Sequence, residues 1–466
     1  MSAKLNGVDV DLEQTGDAFV VRPRDLVREG TNELEVRVDG RFVFADRVET
    51  RRFTVDLATA RLDVPAQTLR PEPGEPLVLR GLVDDATALE VDGVAVPIVG
   101  GAFTAEIAAP AGEIVVRAIH LNGNPAEKVV AVVHDAPPAD APATRGVHVA
   151  AEDWADPVVR AEILGLIESG SINAVQLDIK DEGGAVGYAS QVELARTLAN
   201  GAPAPYDARA ALDELHALDV RVIGRIVCFL DPVLASYAWQ QGRREMVVQE
   251  PDGLSPLDND YGSAAFTNFA HPEVQQYLID LSVEAAELGF DEILYDYVRR
   301  PEGDLAEMAL PGLERPADVE IARFVRATSV ALEERDVELG VSVFGIAATR
   351  PRSIAQDIRL LAPHVDYVSP MVYPSHWGDG EYGVADPLRQ PGEIVELSLQ
   401  DFRDVVAGSG AAVVPWLQAF DASGVDYGRT EVQAQVRAAE RAGATGFLLW
   451  NSGSSYDPDL LAAPDG

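Results

Sequence analysis

Acidic residues end two of the apolar runs in the second half of this sequence. Asp178 and Lys180 close the run AVQLDIK, and Asp296 closes EILYD with Arg299 shortly after it. Alternate residues of a strand share one face, so Asp178 and Lys180 are expected to point the same way. Two nearby carboxyl groups, one protonated and one ionised, can hydrolyse a glycosidic bond. We therefore predict Asp296 as nucleophile or base and Asp178 as its partner acid or a sugar ligand, with Lys180 and Arg299 keeping one carboxylate ionised.

Aromatic and amide side chains follow later runs at equivalent positions. The run DYVSPMVY continues into PSHWGDGEYG, and the last two runs end in WLQ and LLWN. Aromatic faces stack on the C–H surfaces of sugar rings, and amides bond to hydroxyl groups, so this mixture suits a saccharide. Glu381 is the predicted reserve acid. The predicted substrate-binding residues are Lys180, Arg299, Tyr373, His376, Trp377, Trp416, Gln418, Trp450 and Asn451.

The pattern of runs predicts how these residues are positioned. From residue 146 onward, eight short apolar runs alternate with amphipathic helical patterns, which indicates a (β/α)8 barrel, the TIM barrel. In such barrels the carboxyl ends of all strands meet at one mouth, where chemistry takes place. We therefore expect Asp178 and Asp296 to face a solvent-filled sugar cleft there. A doubly wound sheet would carry a glycine-rich phosphate turn, and neither GxGxxG nor GxxxxGK[ST] occurs.

The N-terminal part is of another type. Short alternating runs separated by Gly, Asp, Asn and Pro turns predict two small all-β immunoglobulin-like sandwiches, residues 1–57 and 58–136. A Pro/Ala-rich linker at 137–144 then leads to the barrel at 145–461.

The formal net charge of −39 argues against nucleic acid and anionic membrane surfaces as partners. It also favours a neutral or cationic glycan over a uronate or a phosphorylated polymer. No run is long enough to span a membrane, and the single Cys228 cannot form an intramolecular disulfide. No Cys/His spacing resembles a metal site, so no metal or cofactor is expected.

Some polar residues have a simpler interpretation. Asp181 and Glu182 precede two glycines and are predicted to be turn residues. His148, in the first barrel run, is predicted to be structural.

These motifs together carry a family resemblance. Over 144–460 the segments RGVHVA, NAVQLDIKDEGGAVGY, LGFDEILYDYVRRPEG, DYVSPMVYPSHW, VVPWLQAF and GATGFLLWN resemble, in order, a bacterial family of glycoside hydrolase-like proteins long catalogued as a domain of unknown function. Residues 91–118 resemble immunoglobulin-like repeats appended to secreted carbohydrate-active enzymes. The resemblance implies an exported TIM-barrel domain that acts on or binds polysaccharide.

The family motifs fall on particular residues of this chain. They match Asp178, Lys180, Asp296, Tyr297, Arg299, Tyr373 to His376, Trp416, Gln418, Trp450 and Asn451. One position departs from the family pattern, since strand five of the family carries an Asp before Val-Phe-Gly and this chain has Ser342 there.

Glycoside hydrolysis is therefore the predicted function. The alternative is a cell-envelope carbohydrate-binding protein with a glycosidase-like barrel, which Ser342 favours and the two retained acids oppose. A deacetylase would need metal ligands that the sequence does not show. The first residues, MSAKLNGVDV, lack a signal-peptide pattern, so the expected extracellular or envelope location requires a leader absent from this sequence.

Overall fold

The computed structural model describes residues 2–10, 13–15, 18–20, 26–38, 47–64, 68–69, 77–107, 113–132 and 143–461. The chain divides into two compact units, an N-terminal one and one that holds the barrel. Most of the predicted linker at 137–144 lies outside the described residues, and the predicted boundaries between the two sandwiches stay predictions.

The N-terminal unit consists of small antiparallel sheets, as its period-two alternation predicts. Strand Leu77–Asp84 shows the reason, because its buried and exposed residues alternate and leave one apolar face for packing. In sheet order, the strands are Val8–Val10, Ser2–Leu5, Gly30–Val38 and Arg47–Val55; Val94–Ala95, Ala86–Val91, Glu113–His120, Pro125–Val132 and Thr68–Leu69; Ala102–Ile107, Leu77–Asp84 and Arg61–Asp63; and Glu13–Thr15 with Ala18–Val20.

The second unit is a closed barrel of eight parallel strands, which confirms the predicted fold class. The strands are β1 (Thr144–Val149), β2 (Ala174–Lys180), β3 (Arg221–Val227), β4 (Glu292–Asp296), β5 (Glu338–Phe344), β6 (Tyr367–Met371), β7 (Ala412–Val413 and Trp416–Gln418) and β8 (Gly446–Trp450). Each strand pairs in parallel with the next, and β8 pairs with β1 to close the ring.

Helices cover the outside of the barrel. Their bounds are Ala151–Ala155, Pro157–Glu168, Glu193–Ala199, Ala208–His216, Pro232–Gln240, Pro272–Leu288, Ala317–Leu332, Ile358–Leu361, Pro391–Val406 and Arg429–Arg441. In Pro272–Leu288, the buried Val274, Tyr277, Leu278, Leu281 and Ala285 follow the three- and four-residue spacing of a core-facing stripe. Since the helices cover the outer face and side chains fill the interior, every residue of β2 and β4 is buried. Charged residues on these strands therefore need partners within the barrel.

Candidate active site

Three acidic side chains converge on Arg225 at the carboxyl ends of β2, β3 and β4. Arg225 Nη1 donates to Asp178 Oδ1 at 3.0 Å. Its Nε and Nη2 donate to Asp296 Oδ2 at 3.0 and 2.8 Å. Nη2 also pairs with Oε1 of Glu182, which follows β2. We call Arg225, Asp178, Asp296 and Glu182 the mouth cluster. The two predicted acids are thus brought together, and a single fully buried guanidinium joins them.

Strand register explains why Arg225 reaches both predicted acids. In the β2–β3 pairing Arg225 lies opposite Asp178. In the β3–β4 pairing Asp296 lies opposite Val227, which is two residues beyond Arg225 and on the same face of the strand. Arg225 therefore lies directly beside Asp178, and Asp296 lies beside the next residue on the same face of β3. Because one guanidinium contacts both groups, their separation is limited to what a planar fork and two hydrogen bonds can span.

Lys180 does not join this cluster, which corrects the predicted pairing. Its Nζ donates to the carbonyl oxygen of Val227 at 2.7 Å and lies 3.0 Å from Asp231 Oδ2. The β2–β3 register shifts between Asp178 and Lys180. An irregularity of this kind changes the direction of the following side chain, so the period of two no longer holds there.

Arg299 is also placed differently from the prediction. Its guanidinium carbon lies 4.8 and 4.5 Å from the ring centroids of Tyr297 and Phe344. Its Nη2 is 3.0 Å from Glu302 and donates to the hydroxyl of Tyr261. The arginine that pairs with Asp296 is therefore Arg225.

Charge and burial give the acids of the mouth cluster different pKa values. Burial raises the pKa of Asp178 to about 7, against the opposing effect of Arg225. For Glu182 burial acts in the same direction, but the Arg225 cation outweighs it and lowers the pKa to about 2. One cation cannot compensate three anions, so Asp178 retains a proton near neutral pH while Glu182 is ionised. This is the division between acid and base that carboxyl catalysis needs.

A second chain of contacts reaches Asp178 from β1. His148 Nδ1 is 2.7 Å from Gln176 Oε1, and Gln176 Nε2 donates to Asp178 Oδ1 at 3.0 Å. Burial, followed by the nearby Arg225, lowers the pKa of His148 to about 4, so its imidazole is neutral at neutral pH. The ring stacks on Trp450 with centroids 4.0 Å apart.

The tryptophans of β7 and β8 pack within the protein. Trp416 is 1% exposed and donates from Nε1 to Ser342 Oγ at 2.9 Å. Trp450 is partly exposed, but its ring is stacked by His148 and lies 4.9 Å from the Arg225 guanidinium. The expectation of an open stacking face on Trp416 is therefore corrected, and Ser342 is a buried acceptor for it.

The predicted amides bind loops of the protein. Gln418 is buried, accepts from the Ser375 backbone N–H and donates to the Phe420 carbonyl oxygen. Asn451 Nδ2 donates to the Ala419 carbonyl oxygen at 2.9 Å. Both side chains hold neighbouring loops together at the mouth.

The remaining predicted residues follow β6. Tyr373 is buried and meets the exposed His376 edge-on at 5.1 Å. Trp377 is buried and packs edge-on against Tyr382. Glu381, the predicted reserve acid, pairs with Arg350 at 2.8 Å. Its position therefore gives no support to a role alongside Asp178 and Asp296.

Exposure differs sharply within the mouth cluster. Asp178 is 2% exposed and Asp296 4%, whereas the Glu182 side chain is 39% exposed. The expectation that the two predicted acids face an open cleft is corrected, because solvent reaches the cluster mainly at Glu182. The partly exposed Trp450 and Tyr297 adjoin the cluster through Arg225 and Asp296.

Sequence reasoning missed Arg225 and the contact of Glu182 with it, although Glu182 does lie in the predicted turn. An arginine inside the apolar run VIGRIVCF was the available signal, since a buried cation requires acidic neighbours. Glu182 had no comparable signal, because its approach to Arg225 depends on the path of the loop.

The fold defines a TIM-barrel protein, and its carboxyl cluster lies at the end where such barrels carry their active sites. Residues 146–456 match the family model described as "putative glycosyl hydrolase domain". The match covers more than half of the chain, so the chain belongs to this family. No curated protein matches the sequence.

Solved structures show similarity at low levels. A hypothetical protein from Ruminiclostridium thermocellum ATCC 27405 is 26% identical with a TM-score of 0.37, over 41% of this chain and 96% of its own. A cycloisomaltooligosaccharide glucanotransferase from Paenibacillus sp. is 16% identical with a TM-score of 0.42, over 78% of this chain and 54% of its own. An endo-1,4-beta-D-mannanase from Thermotoga petrophila RKU-1 is 12% identical with a TM-score of 0.44, over 66% and 88%. At these TM-scores the three structures carry no information about the substrate of this chain.

Two further features bear on ligands. Among the described residues, no group of three or more His, Cys, Asp or Glu side chains is arranged to hold a metal ion. Within the same ranges, no helix has both the length and the apolar character that a membrane span requires.

Proposed function

We propose that this protein is a glycoside hydrolase that cleaves an oligosaccharide or polysaccharide at the carboxyl end of its barrel. The supporting observation is the sharing of Arg225 by Asp178 and Asp296. With one cation among three acids, Asp178 holds a proton near neutrality while Glu182 is ionised. Family membership supports the reaction class, and the geometry supports the roles.

In the proposed reaction Asp178 gives its proton to the glycosidic oxygen as the bond to the anomeric carbon breaks. Asp296 either attacks that carbon or takes a proton from the attacking water. Arg225 donates two hydrogen bonds to Asp296 Oδ2, which stabilises the anion without occupying all of its lone pairs. If Asp296 has attacked, a water molecule then releases the sugar from it and gives its proton to Asp178. If Asp296 has instead taken a proton from the attacking water, it loses that proton to solvent and Asp178 regains one from solvent.

Glu182 is the proposed point of first contact with the sugar. It is the most exposed acid of the mouth cluster, and its pKa of about 2 keeps it ionised under ordinary conditions. A carboxylate of this kind accepts hydrogen bonds from hydroxyl or amino groups. Together with the net charge of −39, it favours a neutral or cationic glycan over an anionic one.

The near-complete burial of Asp178 and Asp296 favours one second candidate function. If Arg225 keeps Asp178 and Asp296 out of contact with a bound glycan, the barrel would bind the glycan without cleaving it. Ser342 in place of the family acid points the same way. The proposed location is extracellular or at the cell envelope in either case, supported by the resemblance of residues 91–118 to repeats of secreted enzymes.

Product release separates the two functions. The full chain is incubated with a panel of neutral, N-acetylated, partly N-deacetylated and uronate-containing polysaccharides, and new reducing ends and binding are both measured. The hydrolase proposal predicts reducing ends from a neutral or cationic member. Binding to such a member without any new reducing ends would establish the carbohydrate-binding function instead.

A further inference from the structure

Asp178 has two oxygens in unlike surroundings. Oδ1 accepts hydrogen bonds from Arg225 Nη1 and Gln176 Nε2, both at 3.0 Å. A proton on Oδ1 would point at a group that is itself a donor, which is unfavourable. The proton of the neutral acid therefore belongs on Oδ2.

His148 fixes the amide that makes this contact. An amide oxygen only accepts hydrogen bonds, so the 2.7 Å contact between Gln176 Oε1 and His148 Nδ1 requires a proton on Nδ1. That contact orients the Gln176 NH₂ group toward Asp178. Stacking on Trp450 holds the imidazole plane, and the β1–β2 register places His148 opposite Gln176. All of these groups except Trp450 are buried.

We propose that Gln176 is a positioning residue, aligned by His148, that directs the proton of Asp178 to Oδ2, from which it is donated to the glycosidic oxygen. This inference rests on the proposed function and adds two residues with no assigned role. The charged or titratable groups around Asp178 are His148 from β1, Arg225 from β3 with Asp296 beyond it, and Glu182 from the β2 loop. Two tyrosines complete the set: the Tyr206 hydroxyl donates to the Asp178 carbonyl oxygen, and the Tyr456 hydroxyl donates to that of His148.

The test compares Gln176→Met with Gln249→Met. Methionine keeps the length of glutamine but cannot donate to Asp178. Gln249 is also a buried amide, and it donates to the Arg244 carbonyl oxygen, so its variant controls for loss of such a hydrogen bond. Loss of a donor to the ionised form should move the alkaline limb of kcat/KM in Gln176→Met upward by about one pH unit. Its kcat should fall about tenfold with KM nearly unchanged, whereas the limb in Gln249→Met should stay in place.

A second variant, His148→Phe, tests whether His148 aligns Gln176. Phenylalanine can still stack on Trp450 but has no Nδ1 proton, so the limb should move in the same direction by a smaller amount. An unmoved limb in both Gln176→Met and His148→Phe would overturn the positioning role while leaving hydrolysis itself intact.

A measurement without substrate keeps the two proposals separable. Full-length protein carrying ¹³Cγ-aspartate is titrated by NMR, with Asp178→Asn identifying the Asp178 signal. We expect that signal to titrate near pH 7 in the wild type and about one unit higher in Gln176→Met. An identical titration in both proteins would contradict the inference, whether or not any glycan is cleaved.

Discussion

The two ends of β3 carry similar charged groups in different surroundings. At the amino end Arg221 lies 2.7 Å from Glu292 and 3.0 Å from Glu338. At the carboxyl end Arg225 serves Asp178, Asp296 and Glu182. Burial raises the pKa of Glu292 to about 7, the same value as that of Asp178. A shifted acid alone therefore does not define a catalytic site.

The difference between the ends lies in the number of acids and in the burial of the cation. Arg221 is 40% exposed and holds two acids, one of them at the surface. Arg225 is fully buried and holds three, and it lowers the pKa of Glu182 to about 2 beside the raised pKa of Asp178. Only the carboxyl end of such a barrel carries the loops that build an active site. We accordingly assign stability to the amino end and chemistry to the mouth.

The largest expected effect is the loss of turnover in Asp296→Asn, compared with Glu292→Gln on the same strand. Asp296→Asn preserves the shape of the side chain but removes the charge that attacks or activates water, and we expect kcat to fall by about 10²–10⁴-fold. Glu292→Gln at the other end of the strand should change kcat by less than about twofold, since Glu292 has no part in the proposed site. Steady-state release of reducing ends measures both.

That comparison would break if both variants retained wild-type turnover. Circular dichroism of Asp296→Asn guards against a simple folding defect. A folded, fully active Asp296→Asn protein would remove this residue from the mechanism.

The next largest expected effect is a difference in the free energy of unfolding between Arg225→Met and Arg221→Met. Arg225→Met leaves three acids without their shared cation, and we expect the free energy of unfolding at pH 8 to drop by about 3–5 kcal/mol. Arg221→Met leaves only one buried acid, Glu292, without its cation, and water reaches the 40% exposed Arg221 position, so we expect a smaller loss of about 1–3 kcal/mol. Urea denaturation at pH 8 gives both values. Equal losses in the two variants would show that the ends are not electrostatically distinct.

A smaller effect should be common to both ends. The folded pKa of Asp178 and of Glu292 is about 7, above the unfolded values near 4, so the native protein binds more protons between these limits. Stability is therefore greatest at low pH with respect to these groups and is lost as pH rises to about 7. Asp178→Asn and Glu292→Gln should each reduce the pH 5 to 8 loss in unfolding free energy by about 2–3 kcal/mol. A loss as steep as that of the wild type in either variant would contradict the assigned pKa.

Much of this architecture could be predicted, because the period of apolar residues and the spacing of the predicted strands distinguish small antiparallel sheets from a parallel barrel. Asp178 and Asp296 were identified in the same way, as acids ending buried runs. The partner of Asp296 could not be deduced, because Arg225 is selected over Arg299 by register across two strands. Lys180 was misplaced because the irregularity after Asp178 has no signature in the sequence.

The aromatic residues show a similar limit. Trp416 was predicted at the mouth, but the sequence could not show that its indole turns into the barrel toward Ser342. Side-chain direction at the end of a strand depends on neighbours that are distant along the chain.

The most direct test of a protonated Asp178 beside the ionised Glu182 is the kcat/KM of the wild-type protein at pH 6 and pH 8, on a glycan that it cleaves. Since the acid form is the active one, we predict a value about tenfold lower at pH 8, with the same decline in Glu292→Gln. A kcat/KM that is constant or higher at pH 8 would contradict the account.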